Sequence, residues 1–124
     1  MKEVMAFIRT NKVNATKNAL GDAGFPAFMC RRCMGRGKKQ IDSTLLKYVM
    51  DTGEIPLSNV GESFTEGARL IAKRFFTLVV EDEQVELAVR TIIEANQTGN
   101  PGDGKVFILP VMETYKVRTG ESIL

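Results

Sequence analysis

The run of residues with the clearest chemical potential lies at 98–105 and reads Thr-Gly-Asn-Pro-Gly-Asp-Gly-Lys. Gly102 and Gly104 allow the backbone to turn successive amide N–H groups toward one side, where they bind an anion. Lys105 adds a full positive charge beside those amides. We therefore interpret Gly102, Gly104 and Lys105 as candidate phosphate-binding residues, with an ordinary tight turn before a strand as the alternative.

Two further groups of cations favour the phosphate interpretation. Lys116 and Arg118 are two residues apart, so in an extended strand they project from one face and together hold one polyphosphate. Residues 31–39 contain five cations and no acid, interrupted by Gly35 and Gly37, where the backbone can approach a ligand closely. A solvated basic surface is the alternative interpretation of this run.

Composition and spacing exclude several kinds of enzyme. The 124 residues contain no histidine, which removes the usual general base near neutral pH and the commonest metal ligand. Residues 35–39 are not a Walker A loop, because the glycine spacing is too short and no Ser or Thr follows the lysine. The sequence therefore predicts a nucleotide-binding protein that is not an enzyme. A small enzyme with Lys105 or a cysteine as nucleophile is the alternative, although neither has a recognisable base partner.

The two cysteines, Cys30 and Cys33, have the CxxC spacing of redox and zinc sites. Zinc would need two further Cys or His ligands, which the sequence lacks. In a strand, a separation of three places the two side chains on opposite faces. We expect ordinary, partly buried thiols in a reducing compartment.

The charge balance gives no overall attraction to nucleic acid or to membranes. Lys and Arg number 17 against 15 Asp and Glu, for a net charge of +2. No apolar run approaches the length needed to cross a bilayer, and Glu3 stands where a secretory signal carries only positive charge. We expect a cytoplasmic protein with no nucleic-acid partner and no membrane insertion.

Hydrophobic periodicity predicts the elements that position these residues. Strands are expected at 2–9, 27–34, 70–80 and 105–109, helices at 13–23 and 81–97, and a fifth short strand at 111–118. The order strand, helix, strand, strand, helix, strand is that of a ferredoxin-like α+β sandwich, here a single domain over residues 1–124. Residues 38–67 lack clear periodicity and are typical of a functional loop, with a short amphipathic helix packed on its own subunit as the alternative.

A sheet that carries both helices on one face leaves its other face without cover. We expect an open apolar face to be formed by alternate strand residues, namely Ala6, Ile8, Phe76, Leu78, Val106 and Ile108. An apolar face of this size is an association surface. The sequence therefore predicts an oligomer in which the sheets of several subunits pack together.

With these motifs identified, the sequence resembles the PII signal-transduction family over nearly its entire length. Thr98 and residues 102–107 match the family's C-terminal signature of Thr or Ser, three residues, Gly-Asp-Gly-Lys, Val or Ile, and Phe. Residues 118–121 match its closing Arg-Thr-Gly-Glu. Residues 35–38 match the Gly-x-Gly-Lys entry into the family's T-loop, which by this resemblance spans about 36–68.

The resemblance implies a trimer of ferredoxin-like subunits that binds ATP or ADP in the clefts between subunits and 2-oxoglutarate beside Mg²⁺-ATP. The implied nucleotide-binding residues are Gly35, Gly37, Lys38, Gly102, Asp103, Gly104, Lys105, Lys116 and Arg118. The implied 2-oxoglutarate-binding residues are Lys39, Gln40, Lys73 and Gly102, and Gln40 is the implied Mg²⁺ contact. The family usually has a Gln directly after the loop lysine, so the role of Gln40 requires a shift of the loop by one residue.

The long, altered loop resembles the nitrogenase-operon (NifI-type) branch of the family, and most of all its second paralogue. Members of that branch are understood to form mixed assemblies of two paralogues that inhibit dinitrogenase when nitrogen is plentiful, with 2-oxoglutarate and ATP relieving the block. The resemblance thus implies a homotrimer or a mixed assembly with a paralogue, acting on dinitrogenase through the T-loop. The alternatives are a PII protein that controls an ammonium channel, a carrier or glutamine synthetase, and an RNA-binding ferredoxin-like module suggested by Lys-Arg-Phe-Phe at 73–76.

Overall fold

The predicted order of strands and helices is present in the computed structural model, which describes residues 1–37, 50 and 70–124. The elements are β1 (Lys2–Arg9), α1 (Val13–Asp22), β2 (Met29–Gly35), β3 (Ile71–Val80), α2 (Val85–Asn96) and β4 (Lys105–Pro110). Short 3-10 turns, Thr10–Lys12 and Asp82–Gln84, lead into the two helices. None of the helices in the described part is long and apolar enough to span a membrane.

The predicted loop at 38–67 lies outside the described residues, apart from Met50. Residues 1–33 and 72–124 form one compact unit, and residues 34–71 form a second. The T-loop at about 36–68 and a single domain over the whole chain therefore stay predictions.

The sheet order brings three strand ends together at one end of the sheet. The strands are arranged β2-β3-β1-β4, with β1 antiparallel to both β3 and β4. Arg9 at the end of β1 lies opposite Lys73, and Phe7 lies opposite Lys105. Because antiparallel neighbours reverse direction, the end of β1 lies beside the beginnings of β3 and β4.

The core lies between the two helices and one face of the sheet. Its buried members are Val4, Ala6, Ile8, Leu20, Phe25, Phe76, Leu78, Val80, Ala88 and Ile92. Phe28 stacks on Phe76 with ring centroids 4.6 Å apart. Each large apolar side chain of this kind contributes about 1.5–3 kcal/mol on burial. The core therefore fixes β1 and β3 firmly beneath the helices.

The residues predicted for the open face of the sheet are the wrong set, because they lie on the face that the helices cover. Ala6, Ile8, Phe76 and Leu78 are buried beneath the helices, and Val106 packs against the same core. Ile108 lies opposite the buried Val4, so it too lies on the helix-facing side, although it is 43% exposed. Residues on both parities of β1 are apolar, so alternation alone cannot tell which set the helices cover.

The open face is instead formed by the intervening residues, and it is aromatic. Phe7 lies 5.2 Å from Phe75 and 6.1 Å from Phe107, measured between ring centroids. Met5 is the cross-strand neighbour of Phe107 on the same face. We call Met5, Phe7, Phe75 and Phe107 the aromatic face. The expectation of an uncovered apolar sheet face thus applies to a different set of residues.

The predicted fifth strand at 111–118 is not formed. Residues 111–116 have no regular structure and 117–119 form a turn, which is closed by bonds from the Gly120 amide to the Lys116 carbonyl (2.7 Å) and from the Lys116 amide to the Glu121 carbonyl (2.8 Å). A strand requires a continuous neighbour for its backbone donors and acceptors. Within the described part of the chain, the first residue of this segment has one such bond, from the Val111 amide to the Met1 carbonyl (3.3 Å), and the pairing does not continue beyond it. Its side chains are correspondingly uncovered, and Val117 is fully exposed.

Candidate functional site

The glycine loop, residues 98–104, joins α2 to β4 at the end of the sheet where β1 ends. Gly102 and Gly104 have φ of +97° and +114°, a region that glycine enters without steric penalty. Gly104 passes so close to β1 that a Cβ at this position would lie 1.9 Å from the carbonyl oxygen of Phe7. The loop therefore requires glycine at 104 both for its conformation and for its approach to β1.

Asp103 holds the glycine loop from inside. Its Oδ2 accepts bonds from the amides of Thr98 (2.7 Å) and Gly99 (2.9 Å), and its Oδ1 accepts from the Thr98 hydroxyl and from Arg9 Nη1 (2.6 Å). These bonds, the Thr98 hydroxyl foremost, hold the pKa of the Asp103 carboxyl well below its usual range. The carboxylate is engaged by the loop's own donors and would repel phosphate. Its implied nucleotide contact stays a prediction, and the geometry gives it a structural role.

Arg9 was not among the predicted site residues, yet it ties β1 to the glycine loop. Besides the bond to Asp103, Nη1 donates to the Thr98 hydroxyl at 3.3 Å and Nη2 donates to the Pro101 carbonyl at 3.0 Å. The Arg9 side chain is 27% exposed, so solvent partly screens its charge. The sequence shows only a cation at the end of an apolar strand. Its role at the glycine loop could not be predicted without the sheet order, which places the loop beside Arg9.

Lys73 approaches the same loop from β3. Its Nζ donates to the Gly102 carbonyl at 2.8 Å. Lys73 and Arg9 are cross-strand neighbours, so their side chains emerge side by side. A Cβ on Gly102 would lie 3.3 Å from Arg9 Nη2 and 3.6 Å from Lys73 Nζ. The structure thus brings together two residues implied for 2-oxoglutarate, Lys73 and Gly102, and adds Arg9 to them.

Lys105 begins β4 on the other side of the glycine loop, and its side chain is exposed. A cavity of about 360 Å³ adjoins it, with Gly104 and Lys105 in its wall. Its apolar lining comes from α2, β1 and β4, and includes Ile8, Ile92, Val106 and Ile108. The volume is at the lower end of the range for small-molecule sites.

The electrostatics at this end of the sheet favour an anionic ligand. Arg9 and Lys73 bond to the loop and Lys105 follows it, while Asp103 is the acid within the loop. In residues 1–37 and 70–124, no three acid or thiol side chains are grouped so as to hold a metal ion. The residues present therefore fit phosphate and carboxylate groups, and a metal ion would be bound through such a ligand rather than by a cage of acids.

Lys116 and Arg118 do not project from a common strand face as expected, because Lys116 precedes the exposed turn at 117–119 and Arg118 lies within it. In the described part of the chain, neither side chain has a hydrogen bond or an ion pair. Gly35 ends β2 and Gly37 follows it. Lys38, Lys39 and Gln40 lie outside the described residues, so their implied contacts, including Mg²⁺ at Gln40, stay predictions.

The two cysteines of β2 are free thiols, and both are half-buried. Cys30 packs against the core, which is the ordinary structural role expected of it.

Comparison with known proteins gives a consistent result. The family described as "Nitrogen regulatory protein P-II" matches residues 1–121. A "Nitrogen fixation nifHD region GlnB-like protein 2" of Methanothermococcus thermolithotrophicus is 44% identical, covering 98% of this chain and 94% of that protein. The GlnB-like protein 1 of the same organism is 35% identical, covering 98% of both chains. The crystal structure of Arabidopsis thaliana PII bound to citrate aligns with a TM-score of 0.70 and 27% identity, covering 98% of this chain and 83% of that one.

The structural likeness confirms the predicted ferredoxin-like α+β class, and the relatives named for the nifHD region confirm the predicted nitrogenase-operon branch. The glycine loop and the three cations beside it, Arg9, Lys73 and Lys105, lie within the matched residues 1–121. The chain therefore belongs to the nitrogen regulatory P-II family, whose members are regulatory signal proteins and not enzymes, and within it to the branch of nifHD-region GlnB-like proteins.

Proposed function

We propose that this chain is a cytoplasmic signal protein that binds ATP or ADP together with 2-oxoglutarate and inhibits dinitrogenase through its T-loop when nitrogen is plentiful. The observation that carries the proposal is that Arg9 and Lys73 bond to one glycine loop held in positive-φ geometry, which Lys105 directly follows at the start of β4. Family membership supports the regulatory role.

The nucleotide part of the proposal rests on the side of the glycine loop that leads into β4. Gly104 supplies the backbone conformation of an anion-binding turn, and Lys105 supplies a charge at its edge. Lys116 and Arg118 would join the same phosphates from a neighbouring subunit, since their segment has no strand partner among the described residues of its own chain. Charge-assisted contacts of this kind are stronger than neutral ones.

The 2-oxoglutarate part rests on the other side of the loop. Lys73 and Arg9 place two cations side by side next to Gly102, which suits the negative charge of a dicarboxylate. That an Arabidopsis thaliana PII was crystallised with citrate, another polycarboxylate, supports carboxylate recognition in this fold.

The assembly we propose is a trimer built on the aromatic face. A cluster of Met5, Phe7, Phe75 and Phe107 on the uncovered side of a sheet is an association surface. Methanothermococcus thermolithotrophicus has both a protein 1 and a protein 2 of this type, which supports a mixed assembly with a paralogue as the alternative to a homotrimer. The nifHD names of the relatives support dinitrogenase as the target.

Calorimetry of Mg²⁺-ATP binding tests the nucleotide site. We expect Lys105→Ala to weaken binding by about 10- to 100-fold, because loss of a charged hydrogen bond costs about 1.5–3 kcal/mol. Lys17→Ala, on the exposed side of α1, is the matched control and should bind as the wild type does. Equal affinity of Lys105→Ala and wild type would refute the proposed phosphate contact.

The regulatory role is tested with purified dinitrogenase. Addition of this protein, with its paralogue where needed, should lower the rate of dinitrogen reduction, and ATP with 2-oxoglutarate should restore it. No effect on dinitrogenase, together with an effect on glutamine synthetase or an ammonium channel, would assign the protein to a different target.

A further inference from the structure

The turn near the C-terminus presents one apolar side chain, Val117, which is fully exposed. The turn is held in shape by the bonds between Lys116, Gly120 and Glu121 already described, and the Glu121 amide also donates to the Thr119 hydroxyl at 3.3 Å. Single exposed apolar residues are common on protein surfaces. Val117 differs from most of them because a hydrogen-bonded turn holds it at its tip, directly between the cations Lys116 and Arg118.

The cavity between α2 and β4 is an apolar hollow that its own chain leaves open. Ile92 and Ile93 line it from α2, and Val106 and Ile108 line it from β4. Ile93 is 44% exposed and Ile108 is 43% exposed, so water reaches the apolar rim. Because removal of apolar surface from water is favourable, an apolar group from outside the chain can bind here.

We propose that Val117 of one copy of this chain inserts into the cavity between α2 and β4 of a neighbouring copy. This contact positions Lys116 and Arg118 at the neighbour's glycine loop. The inference rests on the proposed function, in which these two cations reach the phosphates of an adjacent subunit, and it adds the apolar contact that fixes them there.

The place of the cavity relative to the glycine loop supports this pairing. Gly104 and Lys105 are part of the cavity wall, so a group in the cavity lies beside the residues proposed to bind phosphate. Val117 is the residue between the two cations, and its insertion therefore brings both of them within a side chain's length of that site. The wall also contains the acid Asp103, whose charge is opposite to theirs.

The position of β4 favours a second copy as the occupant. β4 is an edge strand of the sheet, so the cavity beneath it lies at the border of the subunit. The chain leaves β4 at the end away from the glycine loop, where the Val111 amide donates to the Met1 carbonyl. Full exposure of Val117 shows that it does not fill the cavity of its own copy.

Crosslinking tests the contact without nucleotide. In a background with Cys30→Ala and Cys33→Ala, a chain with Val117→Cys and Ile93→Cys is treated with a short bismaleimide and separated under denaturing conditions. We expect covalent dimers and trimers. The matched control replaces Ile93→Cys by Leu87→Cys, which lies on the same helix, is 38% exposed and does not line the cavity. A crosslink within one chain only, no crosslink, or equal crosslinking of the control would overturn the inference.

Val117→Thr tests the positioning role, because threonine keeps the shape of valine and adds a hydroxyl. We expect Mg²⁺-ATP affinity to fall about tenfold in calorimetry, since burial of an unpaired hydroxyl is costly, whereas an exposed residue tolerates it. Met112→Thr, at a side chain that is 88% exposed, is the control and should keep the wild-type affinity. Circular dichroism checks that each variant folds. Wild-type affinity in Val117→Thr would overturn the positioning role.

The two readouts separate failure of this inference from failure of the proposed function. If the cysteine pair crosslinks between copies but the wild type binds no ATP, the contact stands and the nucleotide part of the proposed function is refuted. If the wild type binds ATP and no crosslink forms between copies, the proposed function stands and this inference is refuted.

Discussion

Gly104 offers the sharpest single test of the glycine loop, because a Cβ at this position would meet both an unfavourable positive φ and a clash with β1. A Cβ there would lie 1.9 Å from the Phe7 carbonyl oxygen, about 1.5 Å short of the 3.4 Å at which ordinary contact begins. Phe7 belongs to β1, which is paired on both sides, so its carbonyl cannot move far. In Gly104→Ala the loop itself must move away from β1.

Two other glycines provide graded comparisons for the magnitude. Gly24 has φ of +94° and open space around it, so Gly24→Ala isolates the conformational strain, about 1–3 kcal/mol. Gly102→Ala adds contact with the tips of the Arg9 and Lys73 side chains, which can rotate away. Gly104→Ala adds a backbone clash and displaces Asp103 from its donors. We expect it to lower the free energy of unfolding by about 4 kcal/mol or more, the range reached when several such mechanisms combine.

Urea denaturation and ATP calorimetry on the three variants measure the two effects separately. Loss of stability should increase in the order Gly24→Ala, Gly102→Ala, Gly104→Ala. Nucleotide affinity should be unchanged in Gly24→Ala and lost in Gly104→Ala. A Gly104→Ala protein as stable as Gly24→Ala, and with wild-type ATP affinity, would refute the inference that the close approach to β1 shapes the site.

Three further predictions test other parts of the structure. Lys73→Met should weaken 2-oxoglutarate binding about tenfold or more and leave ATP affinity in the absence of 2-oxoglutarate unchanged, as measured by calorimetry; equal 2-oxoglutarate affinity would count against the role of Lys73. Because the folded-state pKa of Asp103 lies below its ordinary value of 3.8, its contribution to stability is complete above that pH and is lost as the pH falls further. From about pH 5 to pH 2 the wild type should therefore lose more stability than Asp103→Asn, and parallel curves would contradict this assignment. Phe107→Asp, which places a charge on the aromatic face, should convert the proposed trimer to monomers in sedimentation experiments; a trimer that forms in both proteins would show that assembly uses another surface.

Most of the fold was predictable from the sequence because it depends on local periodicity. The first strand has its predicted bounds at Lys2–Arg9, and the second helix, Val85–Asn96, follows the apolar spacing of residues 85–93. The corrections concern features that local periodicity does not contain. The covered face of β1 depends on where the helices pack, and the strand expected at 111–118 requires a neighbour outside its own sequence.

The site was predictable in part for the same reason. The glycine loop and Lys105 are contiguous in sequence, so a motif reveals them. Lys73 was identified through the family resemblance, and the structure brings it to Gly102. Arg9 lies 94 residues from its partner Asp103, and only the strand order places them together. A sequence motif cannot identify residues that are distant in sequence and meet only when the strands pair.

The central claim is that phosphate groups bind at the glycine loop, completed by cations of a neighbouring subunit. A crystal structure of the protein with Mg²⁺ and a non-hydrolysable ATP analogue tests it most directly. We expect phosphate oxygens within hydrogen-bond distance of Lys105 Nζ and of the Gly104 and Lys105 amides, with Lys116 and Arg118 of an adjacent copy on the same phosphates. Nucleotide bound elsewhere, with the glycine loop free of phosphate, would contradict the claim.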